Sequence, residues 1–375
     1  MLISLLTHFV LGGFGIAIPL VLLERNISLA EIGIIMSILP LVFLFVRILF
    51  AALADHIGWS PLFLVNWLSL LLASIIYLIA NSPIDFAIGK VFEGISISAY
   101  WAVSRTATYL LSPSREAGEA TKVIGMVMLG MALGCAVTGS IMSIIGAYGA
   151  FILLIIISMM LLYPTILLWS KGRKRIRLNL FRILRSLDLR GRSRNFWIVS
   201  IIMAINSLAR YPLFSLVLPI FMSRELGYSY MTIGTIFMMY NVILAATVFG
   251  TMKLSLSLTR AIVQSMIYLF ACIELSKSNV LLLISVVALA IASGLGTRFY
   301  ETIIANVSKD RLETLSIDIG ILHIPLRIME FSSLIIFSII IEKFGYQVSF
   351  ILSGIAYIAF SILSYLQIHK YKTIK

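Results

Sequence analysis

The chain has 375 residues, of which 61% are hydrophobic and 12% charged, a formal net charge of +13 and a mean hydropathy of +1.06. A soluble domain carries about 25% charged residues to solvate its surface, so this composition excludes a water-soluble globule and requires lipid as the covering. The charge is concentrated in one segment, which ties it to membrane topology rather than to a nucleic-acid partner.

Lipid admits only helices and closed barrels, because backbone polar groups have no water to bond there. Residues 151–162 (FILLIIISMMLL) are apolar on every face rather than alternating, which predicts an all-α integral membrane protein. Twelve spans are expected. The first six lie at residues 2–23, 31–54, 61–80, 84–109, 121–145 and 148–170. The second six lie at 195–222, 230–252, 257–274, 279–305, 316–341 and 347–367. Most reach the ~20 residues that cross a ~30 Å hydrocarbon layer. Pro19, Pro40, Pro212, Pro219 and Pro325 lie within or near span ends, where kinks can act as hinges.

Basic residues orient these spans. With a cytoplasmic N-terminus, 20 Lys/Arg fall in inside segments and four (Arg25, Arg224, Lys277 and Lys343) in outside ones. That asymmetry predicts a multi-pass protein of the cytoplasmic membrane with both termini cytoplasmic. Residues 171–194 hold ten Lys/Arg against Asp188. They read either as an interfacial helix on anionic lipid, with Leu178, Phe181, Leu184 and Leu187 as its apolar stripe, or as an orienting linker. The expected organisation is therefore an N-terminal bundle (1–170), a basic cytoplasmic linker (171–194) and a C-terminal bundle with a short basic tail (195–375).

The two bundles share a repeat. Glu24, Ser28, Ile32 and Gly33, between spans 1 and 2, recur as Glu225, Ser229, Ile233 and Gly234 between spans 7 and 8, at one offset of 201 residues. Gly94/Gly294 and Gly125/Gly320 follow at offsets of 200 and 195. Parallel duplication of a six-helix half is a transporter architecture.

The loop after span 2 reads Ala51-Ala-Leu-Ala-Asp55-His56-Ile-Gly58-Trp59-Ser60. Lys90-Val-Phe-Glu93-Gly94 lies in span 4, and Gly130, Gly134 and Gly139 lie in span 5. Together with the layout, these segments resemble the major facilitator superfamily over essentially the whole chain. Asp55 and Gly58 match its signature loop, Gly-x-x-x-Asp-Arg-x-Gly-Arg, while His56 and Trp59 replace its arginines. Lys90 to Gly94 is similar to its Arg-x-x-Gln-Gly pattern, and the span 5 glycines are similar to its antiporter motif with Cys135 in place of proline. The resemblance implies a cytoplasmic gate in which Asp55, with Gly58 in its loop, pairs with Arg105 and with the helix dipole at the start of span 11; the residues by themselves also read as a solvated loop acid and a turn glycine. It also implies that spans 1, 4, 7 and 10 line a cavity and that 3, 6, 9 and 12 support it from outside.

A charge at the centre of a span costs roughly 2.5–3.5 kcal/mol on insertion scales. The deep charges are Arg47, Lys90, Glu93, Arg210, Arg298, Glu301, Asp318, Arg327 and Glu330, and spans 3, 6 and 12 hold none. Lys90/Glu93, Arg298/Glu301 and Arg327/Glu330 share an i,i+3 spacing that sets opposite charges on one helix face. Such pairs either neutralise themselves or release one partner to a substrate or proton. Lys90, Glu93, Arg210, Arg327 and Glu330 are the candidate substrate and proton-coupling residues. Glu93 and Glu330 are the proton candidates, because alternating access changes a carboxylate's surroundings. Arg210, beside Tyr211 and Pro212, reads either as a structurally paired cation or as a contact for an anionic group on the substrate. Tyr100 and Trp101 read as cavity lining or aromatic packing, and His8 and His323 as core or cavity residues.

Cys135 and Cys272 fall in apolar runs and read as small core residues, so no metal or other cofactor is expected. No cleavable leader is expected, since the first apolar run starts at Leu2 without basic residues before it. No phosphate-binding loop for ATP, His-Glu-x-x-His motif or nucleophile elbow is present. The expected function is non-enzymatic: secondary transport of a small organic solute by alternating access, with H+ as coupling ion, by a monomer in the bilayer. Drug or metabolite efflux, and a transport-inactive sensor, are the alternatives.

Overall fold

The computed structural model describes residues 1–111, 116–169, 171–172, 192–251, 253–277, 279–308 and 315–374. Every element among them is helical. The first half comprises α1 (Leu2–Glu24), α2 (Leu29–Ile57), α3 (Ser60–Ile79), α4 (Pro83–Leu111), α5 (Glu116–Ile145), α6 (Ala147–Met160) and α7 (Leu162–Trp169). The second half comprises α8 (Arg194–Pro212), a π-helical turn (Leu213–Val217), α9 (Leu218–Arg224), α10 (Tyr230–Thr251), α11 (Leu258–Glu274), α12 (Asn279–Ser308), α13 (Leu315–Leu322), α14 (Ile324–Phe344) and α15 (Tyr346–Ile374). Among the described residues, ten helices, with α6–α7, α8–α9 and the end of α13 with α14 each taken as one, are long and apolar enough to cross a membrane. The predicted spans outside that set are α4, which carries Asp85, Lys90 and Glu93, and α11, with 17 residues.

Three predicted spans are interrupted, each next to a proline that cannot donate to the carbonyl four residues back. Span 6 breaks at Leu161, three residues before Pro164, a position that the hinge prediction did not include. Span 11 breaks at His323, two residues before Pro325, and the His323 N–H donates to Gly320 at 3.2 Å. Span 7 widens after Pro212 into a π turn, where the Leu218 N–H donates to the Leu213 carbonyl. Pro19 and Pro40 sit inside unbroken helices.

The chain forms two compact units. One comprises Met1–Ile27, Ile38–Arg190 and Ser229–Met238. At its centre is α1, buried along most of its length, which lies against α5. A Cβ on Gly134 of α5 would lie 2.0 Å from the Phe9 carbonyl oxygen of α1. Small residues there let the backbones touch, and dispersion rather than water expulsion holds helices together in lipid. Helix α3 packs on α4 and α6, and outward residues such as Ile79 and Ile144 are exposed and apolar.

The other unit comprises Ser28–Ser37, Gly191–Tyr228 and Met239–Lys375. Here α8 packs on α14 and α15, and α11 on α12 and α15. Tyr268 and Tyr357 stack in its core with ring centroids 3.9 Å apart.

The sequence repeat has a backbone counterpart. Asn26 and Gly227, 201 residues apart, both hold positive φ, at 57° and 64°. This left-handed turn suits Asn and Gly. Ser28 and Ser229 then cap the following helices, accepting from the N–H of Glu31 (3.3 Å) and Thr232 (3.2 Å). One turn on, a Cβ at Gly33 would lie 2.7 Å from the Leu334 carbonyl oxygen, and one at Gly234 2.4 Å from that of Cys135. The Ala30 N–H donates to Glu342 (3.0 Å) and the Met231 N–H to Ser143 (2.7 Å). Each repeated glycine is thus where a helix start meets a neighbour inside its own unit: α2 on α14, and α10 on α5.

Candidate functional site

In the first unit, α4 turns Lys90 and Glu93 onto one face, as their spacing predicts. Lys90 Nζ lies 2.8 Å from Glu93 Oε2, with side chains 2% and 5% exposed. The Tyr77 hydroxyl of α3 donates to the same oxygen at 2.9 Å. Tyr77 is walled by Phe14, Phe86 and Phe151 at centroid separations of 4.8–6.0 Å. Gly89 makes room for its ring, since a Cβ there would lie 2.2 Å from Tyr77 Cε1. A carboxylate with two donors in such a setting is held in place by charge-assisted bonds that outweigh neutral ones. Below it, Asn66 donates to Thr7 (3.0 Å) and accepts from Ser96 (2.8 Å), joining α3, α1 and α4 by buried polar contacts.

In the second unit the charges gather around α8. Glu330 of α14 pairs with Arg327, one turn back, and also accepts from the Ser207 hydroxyl of α8 at 3.0 Å. Their side chains are 8% and 19% exposed, so this pair is wetter than Lys90–Glu93. One turn along α8 from Ser207, Arg210 donates to the Tyr240 hydroxyl (3.4 Å), which in turn donates to Ser293 (3.3 Å). The Arg210 Nε is buried and has no hydrogen-bond partner among the described residues. Among the described residues, no carboxylate pairs with Arg210. Tyr240 stacks on Phe214, in the π turn, at 4.1 Å, and π turns inside α-helices frequently mark functional sites. The buried Asn206 Oδ1 also lacks a partner among the described residues.

The remaining predicted charges divide. Arg298 and Glu301 do not pair: Arg298 donates to the Thr251 carbonyl at 3.4 Å, and Glu301 is exposed. A carbonyl at the end of α10 offers Arg298 the acceptor that i,i+3 spacing assigned to Glu301. Asp318 forms a buried ion pair with Arg192, at the end of the basic segment. The side chains of Asp55 and Arg105 lie outside the described residues, as do residues 173–191 of the predicted linker. Gly58 does turn the chain between α2 and α3 with φ of 90°. Trp59, where the signature has arginine, is buried, stacks edge-on with Phe63 and covers Gly172. Sequence reasoning missed Tyr77, Ser207, Tyr240 and Arg192. Only Ser207 carried a signal, three residues before Arg210 on one helical face.

Two units of apolar helices enclosing buried ion pairs define a multi-pass membrane protein of the transporter kind. The sequence profile of the Major Facilitator Superfamily matches residues 1–273, and the chain belongs to that family. No curated protein matches it in sequence. Among solved structures, it is similar to a bacterial homologue of the human lysosomal transporter Spinster, in an inward-facing and unoccupied conformation. That match has a TM-score of 0.75 and 15% identity, over 99% of this chain and 96% of the other. It is also similar to the human organic anion transporter MFSD10 (TETRAN), with a TM-score of 0.70 and 13% identity, over 97% of each chain. At these identities the likeness is one of fold.

Proposed function

We propose that the protein is a proton-coupled secondary transporter that moves a small organic solute with an anionic group across the cytoplasmic membrane by alternating access. The observation that carries this reading is Arg210, a deep arginine without a carboxylate partner among the described residues, one helical turn from the Ser207–Glu330–Arg327 chain. A guanidinium is always charged and presents a planar fork of donors that fits a carboxylate or phosphate. The Tyr240 hydroxyl offers only a neutral acceptor, so an anionic group on the solute supplies the missing countercharge.

Glu330 is the proposed proton carrier. While it is ionised, Arg327 and Ser207 both donate to it. Protonation removes the charge with which Arg327 pairs, so proton and anion binding are coupled through one side chain. Glu93, with Lys90 and Tyr77, is the corresponding proposed group in the first unit. The Asp55/Gly58/Arg105 gate, the twelve spans in two six-helix halves, the cytoplasmic termini and the basic linker at 171–194 belong to the same reading. The repeated turn at Asn26 and Gly227 supports the duplication, and the basic-residue asymmetry supports the orientation. The ion gradient supplies the work, and the chain's own residues bind, orient and exchange a proton.

The test is uptake and efflux of a panel of organic anions, zwitterions and cations by protein reconstituted in liposomes. Arg210→Ala is expected to lower flux of the anionic cargo by about 100-fold, as for loss of a charge-assisted contact, with Arg210→Lys intermediate. Equal flux of the anionic cargo in wild type and Arg210→Ala would remove Arg210 from the site, and absence of flux for the whole panel would favour a sensor.

A further inference from the structure

His8, on α1, is 4% exposed and takes no part in either ion-pair cluster. Its Nδ1 lies 2.9 Å from the Ser4 carbonyl oxygen, one turn back. A carbonyl oxygen only accepts, so Nδ1 carries the proton, and in the neutral ring Nε2 is left as a bare lone pair. That Nε2 is buried and has no hydrogen-bond partner among the described residues. Two aromatic rings of α4 flank the imidazole edge-on, Tyr100 at 4.8 Å and Trp101 at 5.8 Å, themselves 5.3 Å apart. Behind it α5 lies close, since a Cβ on Gly130 would meet the His8 Cβ at 3.2 Å. Glu93, two turns before Tyr100 on α4, is already engaged by Lys90 and Tyr77.

We infer that His8, Tyr100 and Trp101 form a binding subsite in the first unit for an organic ammonium group that bears N–H. The faces of tyrosine and tryptophan attract a cation through their quadrupoles. The orphan lone pair at Nε2 requires a donor, and an anion would be repelled by both features. A primary ammonium satisfies rings and lone pair together, a quaternary ammonium satisfies the rings alone, and an alcohol the lone pair alone. The subsite rests on the transport reading only in making the bound cation part of the cargo.

The experiment is calorimetric titration of the full-length protein in detergent with phenethylammonium, its N,N,N-trimethyl analogue and phenethyl alcohol. Phenethylammonium is expected to bind about tenfold more tightly than either, as for one hydrogen bond with a charged donor. His8→Phe, with the melting temperature unchanged, is expected to abolish its advantage over the trimethyl analogue. Three equal affinities, no binding at all, or an unchanged advantage in His8→Phe would each overturn the subsite. Should His8→Phe not fold, Trp101→Leu supplies the test: it is expected to weaken both ammonium ions and leave the alcohol as it was, and the opposite pattern counts against the subsite. Equilibrium binding needs no gradient, so loss of flux with binding intact overturns the transport reading alone, and flux without ammonium binding overturns the subsite alone.

Discussion

Lys90–Glu93 and Arg327–Glu330 are written the same way in the chain, a cation and a glutamate three residues apart, yet they sit in opposite surroundings. The first is sealed among the aromatic rings around Tyr77, with side chains no more than 5% exposed. In the second, Arg327 is 19% exposed, and the hydroxyl that reaches Glu330 comes from α8, the helix that also carries Arg210. A dry, fully bonded pair costs much to disturb, whereas a wetter pair can exchange partners. Spacing alone therefore puts charges together; the neighbours set how readily each pair is disturbed.

The contrast can be broken by removing one partner at a time. Lys90→Met leaves Glu93 as a buried, uncompensated carboxylate and is expected to cost about 3–5 kcal/mol, read as a large fall in melting temperature. Adding Glu93→Gln to it should recover most of the loss. Gly33→Ala and Gly234→Ala each drive a Cβ into neighbouring backbone and should cost about 1–3 kcal/mol. Because the contacts correspond, the two costs should agree, and clearly unequal ones would argue against equivalent roles. Arg327→Met, at the wetter pair, is expected to cost only about 1–2 kcal/mol while abolishing proton-driven flux. A loss as large as that of Lys90→Met would erase the distinction between the pairs. The smallest stability effect is expected of Tyr240→Phe, about 1 kcal/mol for one hydrogen bond, with a weaker apparent affinity for anionic cargo in the flux assay.

The helical class, most element positions and the Lys90–Glu93 and Arg327–Glu330 pairs were legible because each rests on local rules: apolar runs and i,i+3 geometry. The repeat from Glu24 to Gly33 was visible as matched letters, and its physical basis lies in the turns at Asn26 and Gly227, where two different residues serve one backbone conformation. Matching letters could not find that equivalence. Proline hinges were half legible. Pro212 and Pro325 accompany breaks, Pro19 and Pro40 do not, and neighbours that fix the backbone are invisible in a single segment. Tyr77 and Tyr240 reach their partners from other helices, so nothing near Glu93 or Arg210 in the sequence announces them. Arg298 shows the reverse failure, since its spacing to Glu301 was right and the Thr251 carbonyl offered an alternative acceptor.

The most direct test of the account is proton movement in liposomes loaded with a pH-sensitive dye, with cargo added outside, for wild type, Glu330→Gln and Glu93→Gln. Cargo-dependent pH change is expected in wild type. Glu330→Gln is expected to show no pH change and still to exchange labelled for unlabelled cargo. Full proton movement in Glu330→Gln would contradict coupling through Glu330.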